Sequence, residues 1–231
     1  MKSVAAKAVG CEGVGPVGCR ACDLHEICRL TGLLAYNSGR SRQSTGALRS
    51  VKAGERLFRA GDRAYFLYAI RQGLAKTVQV DAEGVEHILA INAPGEVLGL
   101  DAFEAGVYAS DVIALQPVVC CELPLRLLGG PRARVGEIDA AVIRLLGRAA
   151  APRPNPWRGP IRRRVTNLLL DLSHRLEERG LDGRKFTLGM SRREIADLLD
   201  TRIETVSRAF QSLKREGSIR VRGKSVSLVA L

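Results

Sequence analysis

Four prolines fall within nine residues, at Pro152, Pro154, Pro156 and Pro160. Proline lacks a backbone N–H and its ring clashes with the preceding helical turn, so four of them cannot sit inside one regular helix. Glu137 to Ala151 places Ile138, Ala141, Val142, Leu145 and Leu146 at spacings of three and four, the apolar stripe of a helix. The prolines stop that helix. Beyond them Ile161 to Arg179 resumes a helical pattern, with Val165, Leu168, Leu169, Leu172 and Leu176 on one face. A chain of 231 residues has room for two separate cores.

The two sides of this break differ in pattern. Residues 51–125 read as short strands with regular turns: Phe66 to Ile70, Ala75 to Val80, His87 to Ile91, Val112 to Leu115 and Val118 to Leu123. Asp81-Ala82-Glu83-Gly84 and Pro94-Gly95-Glu96 punctuate them. Short strands at this spacing predict an antiparallel sandwich or barrel. In the last fifty residues Ser191-Arg192-Arg193-Glu194 is a capping box that opens a helix through Leu199. Asp200-Thr201-Arg202 makes a turn, Ile203 to Glu216 a second helix, and Ser218 to Leu228 a hairpin turning near Arg222-Gly223-Lys224. That order is a helix-turn-helix followed by a wing.

Charge follows the same division. The chain carries a formal +12, and residues 152–231 hold 18 Lys and Arg against 9 Asp and Glu. The C-terminal third is therefore the expected polyanion-binding part. In its second helix Glu204, Ser207 and Arg208 share one face, while Val206, Phe210 and Leu213 fall on the other. A carboxylate can accept from cytosine N4, Arg can bridge guanine O6 and N7, and Ser can meet several base edges. This trio is the candidate DNA-reading set. No apolar run approaches the roughly 20 residues of a membrane span, and no signal-peptide core precedes the cysteines. A cytoplasmic chain with reduced thiols is expected. No nucleophile–base pair or phosphate-cradling loop is present, so an enzyme is not expected.

Four thiols crowd the N-terminus, Cys11, Cys19, Cys22 and Cys28, with Cys120 and Cys121 far downstream. Such clustering without an export signal points to a soft metal or an iron–sulfur cluster rather than disulfides. Tetrahedral zinc and iron–sulfur clusters both take four soft ligands, and the spacing leaves both open. Neighbouring strand residues point to opposite faces, so Cys120 and Cys121 are not expected to ligate one group together. His25 lies within the cysteine loop, where a solvated side chain is expected and a supporting role beside the ligands is the alternative.

The stretches CRACDLHEIC, GERLFRAGDRAYFLYAIRQG, APGEVLGLDAF, CCELP and IETVSRAFQSLKREG together resemble the oxygen-responsive regulators of the fumarate-and-nitrate-reduction (FNR) family, within the cyclic-AMP receptor protein superfamily. The resemblance implies an α+β fold: a jelly-roll-like β-roll sensor domain, a connecting dimerisation helix and a C-terminal winged helix-turn-helix. It implies a 4Fe-4S cluster on Cys19, Cys22, Cys28 and Cys121, the last being the thiol that adjoins Glu122-Leu123-Pro124, with Cys11 and Cys120 spare. It also implies TTGAT-like half-sites in double-stranded DNA read by Glu204, Ser207 and Arg208, RNA polymerase as a partner, and a homodimer.

Phe103 to Asp111 contains no Arg or Lys, so the phosphate partner that a cyclic nucleotide would need is missing and none is expected to bind. The resulting division is a cysteine-rich segment (1–50), the roll (51–130), a connecting helix with a proline elbow (131–160) and the DNA-binding unit (161–231). The short stripe of Ile138, Val142, Leu145 and Leu146 is expected to form the dimer seam, leaving the dimer marginal. The expected function is transcription regulation switched by oxygen or nitric oxide. The alternative is constitutive DNA binding with a structural four-cysteine zinc site.

Overall fold

The computed structural model describes residues 17–31, 48–128, 135–150 and 159–230. Cys11, Pro152, Pro154 and Pro156 lie outside them; Pro160 is the residue that enters the helix after the elbow.

Eight strands build the roll: β1 (Leu48–Val51), β2 (Arg56–Phe58), β3 (Phe66–Gln72), β4 (Ala75–Val80), β5 (Glu86–Asn92), β6 (Val97–Leu98), β7 (Asp111–Ala114) and β8 (Val118–Pro124). They form two antiparallel four-stranded sheets, ordered β1-β8-β3-β6 and β2-β7-β4-β5. A short helix, α2 (Ala102–Ala105), follows β6. Between the sheets lie Tyr68, Ile70, Val118 and Cys120 with Phe58 and Tyr108. The Phe58 and Tyr108 rings stack with centroids 3.8 Å apart.

The other face of the first sheet is also covered. Leu67 and Ala69 of β3, with Cys121 and Leu123 of β8, pack against α1 (His25–Leu30) and α3 (Val135–Ala150). A strand buried on both faces needs apolar side chains at every position, which is why β3 reads as a continuous run instead of an alternation. Leu24 and Ile27, each 1% exposed, seat α1 on this face.

The stripe of α3 is partly used within the chain. Ala141 and Leu145 are buried against α1 and the roll, Ile138 is 0% exposed, and Val142 and Leu146 are half-buried. Ile143, 68% exposed, stands on the outer face.

The C-terminal part comprises α4 (Ile161–Glu177), β9 (Lys185–Thr187), α5 (Arg192–Leu198), α6 (Ile203–Arg215), β10 (Ile219–Arg222) and β11 (Ser225–Leu228). Ser191 and Glu194 close the expected capping box at the start of α5, with reciprocal bonds of 3.2 and 2.8 Å. Asp200, between α5 and α6, is the one non-glycine residue of positive φ among those described (43°). A short polar side chain tolerates this left-handed turn better than most. Gly217 ends α6 with φ 74°, the usual use of glycine after a helix.

The roll and this part share one core. Leu74, Ile91, Ala93 and Leu115 of the roll pack together with Leu168, Leu172, Phe186, Leu188, Met190 and Ile195. Each large apolar side chain fully buried there contributes about 1.5–3 kcal/mol, so the two parts hold each other in place.

Candidate functional site

Cys19 opens a single 3-10 turn, Cys19–Ala21, and Cys22 closes it. The Cys22 N–H donates to the Cys19 carbonyl at 3.2 Å, and the Cys22 carbonyl then accepts from the His25 N–H at 3.0 Å. This winding leads straight into α1, which carries Cys28. The loop is pinned to the roll by two backbone bonds, Val17 N–H to the Arg71 carbonyl (2.8 Å) and Asp23 N–H to the Gly95 carbonyl (2.9 Å). Cys121 reaches the loop from β8.

The four thiols share one electrostatic neighbourhood. Burial pushes the Cys22 thiol up to about 11, with further increments from Cys121, Asp23 and Cys19. Burial pushes Cys28 up to about 12, and Cys22, Cys121 and Cys19 add to it. Cys121 is raised by burial and by Cys19, while the Arg71 guanidinium hydrogen-bonded to it pulls the other way. Cys120 faces the roll interior, fully buried among Tyr68, Ile70 and Val118. Adjacent in sequence, Cys120 and Cys121 thus belong to opposite faces of one sheet.

Among the described residues, no three His, Cys, Asp or Glu side chains converge as ligands of a single metal ion. Cys22, Cys28 and Cys121 pack against one apolar cluster that includes Leu24, Ile27, Leu67, Ala69 and Leu123, and Cys19 adjoins them through the turn closed by Cys22. An all-thiolate set with a largely apolar surround suits an iron–sulfur cluster, whose iron would offset the cost of deprotonating buried thiols. His25 departs from its expectation: it is half-buried, and its Nδ1 is out of water with no hydrogen-bond partner.

Two arginines, Arg175 in the last turn of α4 and Arg179 in the turn just after it, tie this region to the C-terminal part. Arg179 donates to the Ala21 carbonyl and to Asp23 Oδ1, the latter at 2.8 Å. Its side chain crosses Gly95, where a Cβ would lie 2.8 Å from Arg179 Cδ and 3.0 Å from the Ala21 carbonyl. Glycine is required there on two counts, the close approach and a φ of 93°. Arg175 makes a two-pronged pair with Glu96, at 2.8 and 2.7 Å, and also donates to the Ile91 carbonyl and Asp171. Further along, Lys76 of β4 meets Glu194 at 2.9 Å, and Asp197 accepts the Ile88 N–H at 3.0 Å. Burial alone would raise the Glu194 carboxyl, but Ser191 and Lys76 hold it below the usual carboxylate range.

On α6, Glu204 and Arg208 are exposed and Ser207 is half-buried, while Val206, Phe210 and Leu213 are buried. The guanidinium of Arg192 on α5 lies 3.4 Å from the centre of the Phe210 ring. This fixes α5 against α6 with the Glu204–Arg208 face turned outward.

The residues that sequence reasoning passed over are Arg71, Asp23, Glu96, Arg175 and Arg179. Arg175 and Arg179 stand four apart on a helix, a spacing shared by any solvated charged face, and Arg71 gives no sequence signal at all.

A double-layered roll joined to a capped helix-turn-helix and wing defines a DNA-binding regulator built on a nucleotide-binding-type domain. Residues 48–129 match the cyclic nucleotide-binding domain and residues 163–231 the Crp-like helix-turn-helix domain. The chain belongs to the Crp/FNR family of transcription regulators. It is 29% identical to the transcriptional activator protein anr of Pseudomonas aeruginosa, over 91% of this chain and 88% of that protein. It is 26% identical to the fumarate and nitrate reduction regulatory protein of Escherichia coli, over 92% and 86%. A CRP-family transcriptional regulator from Thermus thermophilus superposes with a TM-score of 0.60 at 28% identity, covering 78% of this chain and 91% of that one. No helix among the described residues is long and apolar enough to cross a membrane.

The Arg175–Glu96 pair gives a direct stability test. Both side chains are about 15% exposed, so Arg175→Ala strands a carboxylate in a largely dry site and is expected to cost about 3 kcal/mol. Urea unfolding of the variant should show a lower midpoint. A change within about 0.5 kcal/mol, the range of an ordinary surface substitution, would show that water already screens the pair.

Proposed function

We propose that this chain is a sequence-specific transcription regulator that responds to oxygen or nitric oxide through a 4Fe-4S cluster held by Cys19, Cys22, Cys28 and Cys121. The observation that carries the reading is that Cys22 and Cys28 of the loop pack against the same apolar cluster as Cys121 of β8, with Cys19 opening the turn that Cys22 closes. When bound, the cluster would supply reactivity toward oxygen or nitric oxide. The likeness to the fumarate and nitrate reduction regulatory protein supports the same reading.

The chain's own residues supply the coupling. With all four thiolates engaged, the loop is cross-linked to β8 as well as packed through Leu24 and Ile27. With them free, the packing, two backbone bonds to the roll and the Arg179 clamp remain. Because Arg179 grips Ala21 and Asp23, between and beside the ligands Cys19 and Cys22, a shift of the loop moves α4. The same loop shift is felt by α3 through Ile27, Ala141 and the Glu26–Arg144 pair at 2.5 Å.

Glu204, Ser207 and Arg208 read TTGAT-like half-sites, by the donor and acceptor logic of the major groove. RNA polymerase enters as the partner that a transcriptional activator, such as the Pseudomonas relative is named, would need. Cyclic nucleotide is not the effector in this reading: the roll interior is filled by Phe58, Tyr68 and Tyr108, and Arg175 already occupies Glu96. No catalytic activity is assigned. We place the protein in the cytoplasm, where thiols stay reduced. The working units are 1–50, 51–130, 131–160 and 161–231.

A homodimer would use the outer face of α3, where Ile143 is exposed and Val142 and Leu146 are half-buried. Ile143→Asp is expected to shift the protein toward monomer in sedimentation velocity. An unchanged dimer would place the interface elsewhere.

The cofactor assignment is tested by anaerobic reconstitution with iron and sulfide. Wild type should absorb in the visible and bleach in air. Each single Cys→Ser change at Cys19, Cys22, Cys28 or Cys121 should sharply lower bound iron, and Cys11→Ser or Cys120→Ser should not. A colourless protein that retains zinc would favour the structural-zinc reading. Loss of iron in Cys120→Ser with retention in Cys121→Ser would overturn the fourth ligand.

A further inference from the structure

A cleft of about 400 Å³ opens between the cysteine loop and α3. Its walls are rich in arginine. Arg20 of the loop and Arg29 of α1 line one side, and Arg144 and Arg148, four apart on one face of α3, line the other. The two carboxylates on the same walls are both engaged: Glu26 pairs with Arg144 at 2.5 Å, and Asp23 with Arg179 at 2.8 Å. The apolar part of the lining is Ile27, Ala141 and Leu145, the side chains through which α1 and α3 share a cluster.

Arg20, Arg29 and Arg148 are exposed. Among the described residues none of these three side chains forms an ion pair, unlike Arg144, Arg175 and Arg179 of the same molecule. A cation in the last turn of a helix is favoured by the helix dipole, which accounts for Arg148 alone. It does not account for the two arginines that the N-terminal segment brings to the same cleft. Like charges lining one cleft repel, and here that repulsion works against the seating of the loop on α3. An anion held among them turns repulsion into attraction.

We propose that this cleft binds inorganic phosphate, which bridges the cysteine loop to α3. The inference goes beyond the functions proposed above and does not depend on what the cysteines hold. A phosphate group carries a charge of about −1.5 to −2 at neutral pH and offers three strong acceptor oxygens. A carboxylate carries one charge and two oxygens. Three uncompensated guanidiniums on two sides of a cleft match the former, and guanidinium presents paired donors to phosphate oxygens. Among the described residues no Phe, Tyr or Trp lines the cleft, so a nucleotide base would lack the stacking platform it commonly uses. Occupied, the site ties Arg20 and Arg29, each next to a cysteine of the loop, to Arg148 of α3. Phosphate would thereby steady the loop.

The test is equilibrium dialysis of the full-length protein, prepared anaerobically, against radiolabelled inorganic phosphate at moderate chloride concentration. Wild type should bind one phosphate per chain, saturably. The Arg29→Gln, Arg148→Gln double variant should bind it about tenfold more weakly, because the bonds removed are charge-assisted and so of the stronger kind. Arg193→Gln, at an exposed arginine of the C-terminal part, should leave phosphate binding unchanged. The double variant should also bind a TTGAT duplex with an unaltered slope of log K against log salt.

Wild-type protein without saturable phosphate binding would overturn the proposal. So would binding that survives the double substitution, or that falls equally in Arg193→Gln. A salt slope shallower by about 2 in the double variant would overturn it too, since each DNA phosphate contact contributes roughly 0.9 and these arginines would then belong to the DNA backbone. A protein that takes up no iron yet binds phosphate in this cleft would overturn the cluster assignment and leave the phosphate site standing. Both substituted positions are exposed, and unchanged thermal unfolding of the double variant in phosphate-free buffer would separate a lost site from lost structure.

Discussion

The guanidinium of Arg179 is where three parts of the molecule meet. It stands in the turn that follows α4, crosses a glycine of the roll, and holds a carbonyl and a carboxylate of the cysteine loop. Each partner constrains the others. A side chain at position 95 would push the arginine away, and without the arginine the Asp23 carboxylate would lose its charged partner. Arg175, one turn earlier, repeats the arrangement against Glu96 of the same glycine turn. The Pro94-Gly95-Glu96 turn is therefore the seat on which the cysteine loop and α4 are fitted together.

That seating gives a physical route between the thiols and the DNA-reading helix inside a single chain. From the loop, strain or release passes to α4 by charge-assisted hydrogen bonds, which are the stronger kind and are directional. From α4 it passes to α5 and α6 through the shared core of Leu168, Leu172, Ile195 and Phe210. The contact with α3 through Ile27, Ala141 and Leu145 is a second route, toward whichever surface a partner copy occupies. Close-packed cores shift between discrete arrangements more readily than they deform, so a change at the loop has somewhere definite to go.

Much of this architecture was legible in the sequence. The helical stripes gave α3, α4 and α6 to within one or two residues, the capping box marked the start of α5, and the turn at Asp200-Thr201-Arg202 fell where it was expected. The strands β3, β4, β5, β7 and β8 followed from short apolar runs. Other elements were not legible, for identifiable reasons. β9 is three residues long, too short for periodicity to register. The stripe of α3 states that a face is buried but not against what, so Leu145 could be assigned to a second copy although it packs in one cluster with Leu24 and Ile27 of the cysteine loop. The surround of the thiols depends on Arg71 and on the arginine clamp, which are brought together over more than a hundred residues of chain. His25 looked like any loop histidine until the fold closed over its Nδ1.

The central claim is that the cysteine loop communicates with the DNA-binding part through Arg179. It is tested most directly by the ratio of DNA affinities for cluster-loaded and cluster-free protein, measured for wild type and for Arg179→Ala with equal iron content. The account predicts a clear ratio in wild type that falls toward one in the variant, while the preference for TTGAT over scrambled duplex persists. An undiminished ratio in the variant would contradict it and would place the coupling in α3 alone.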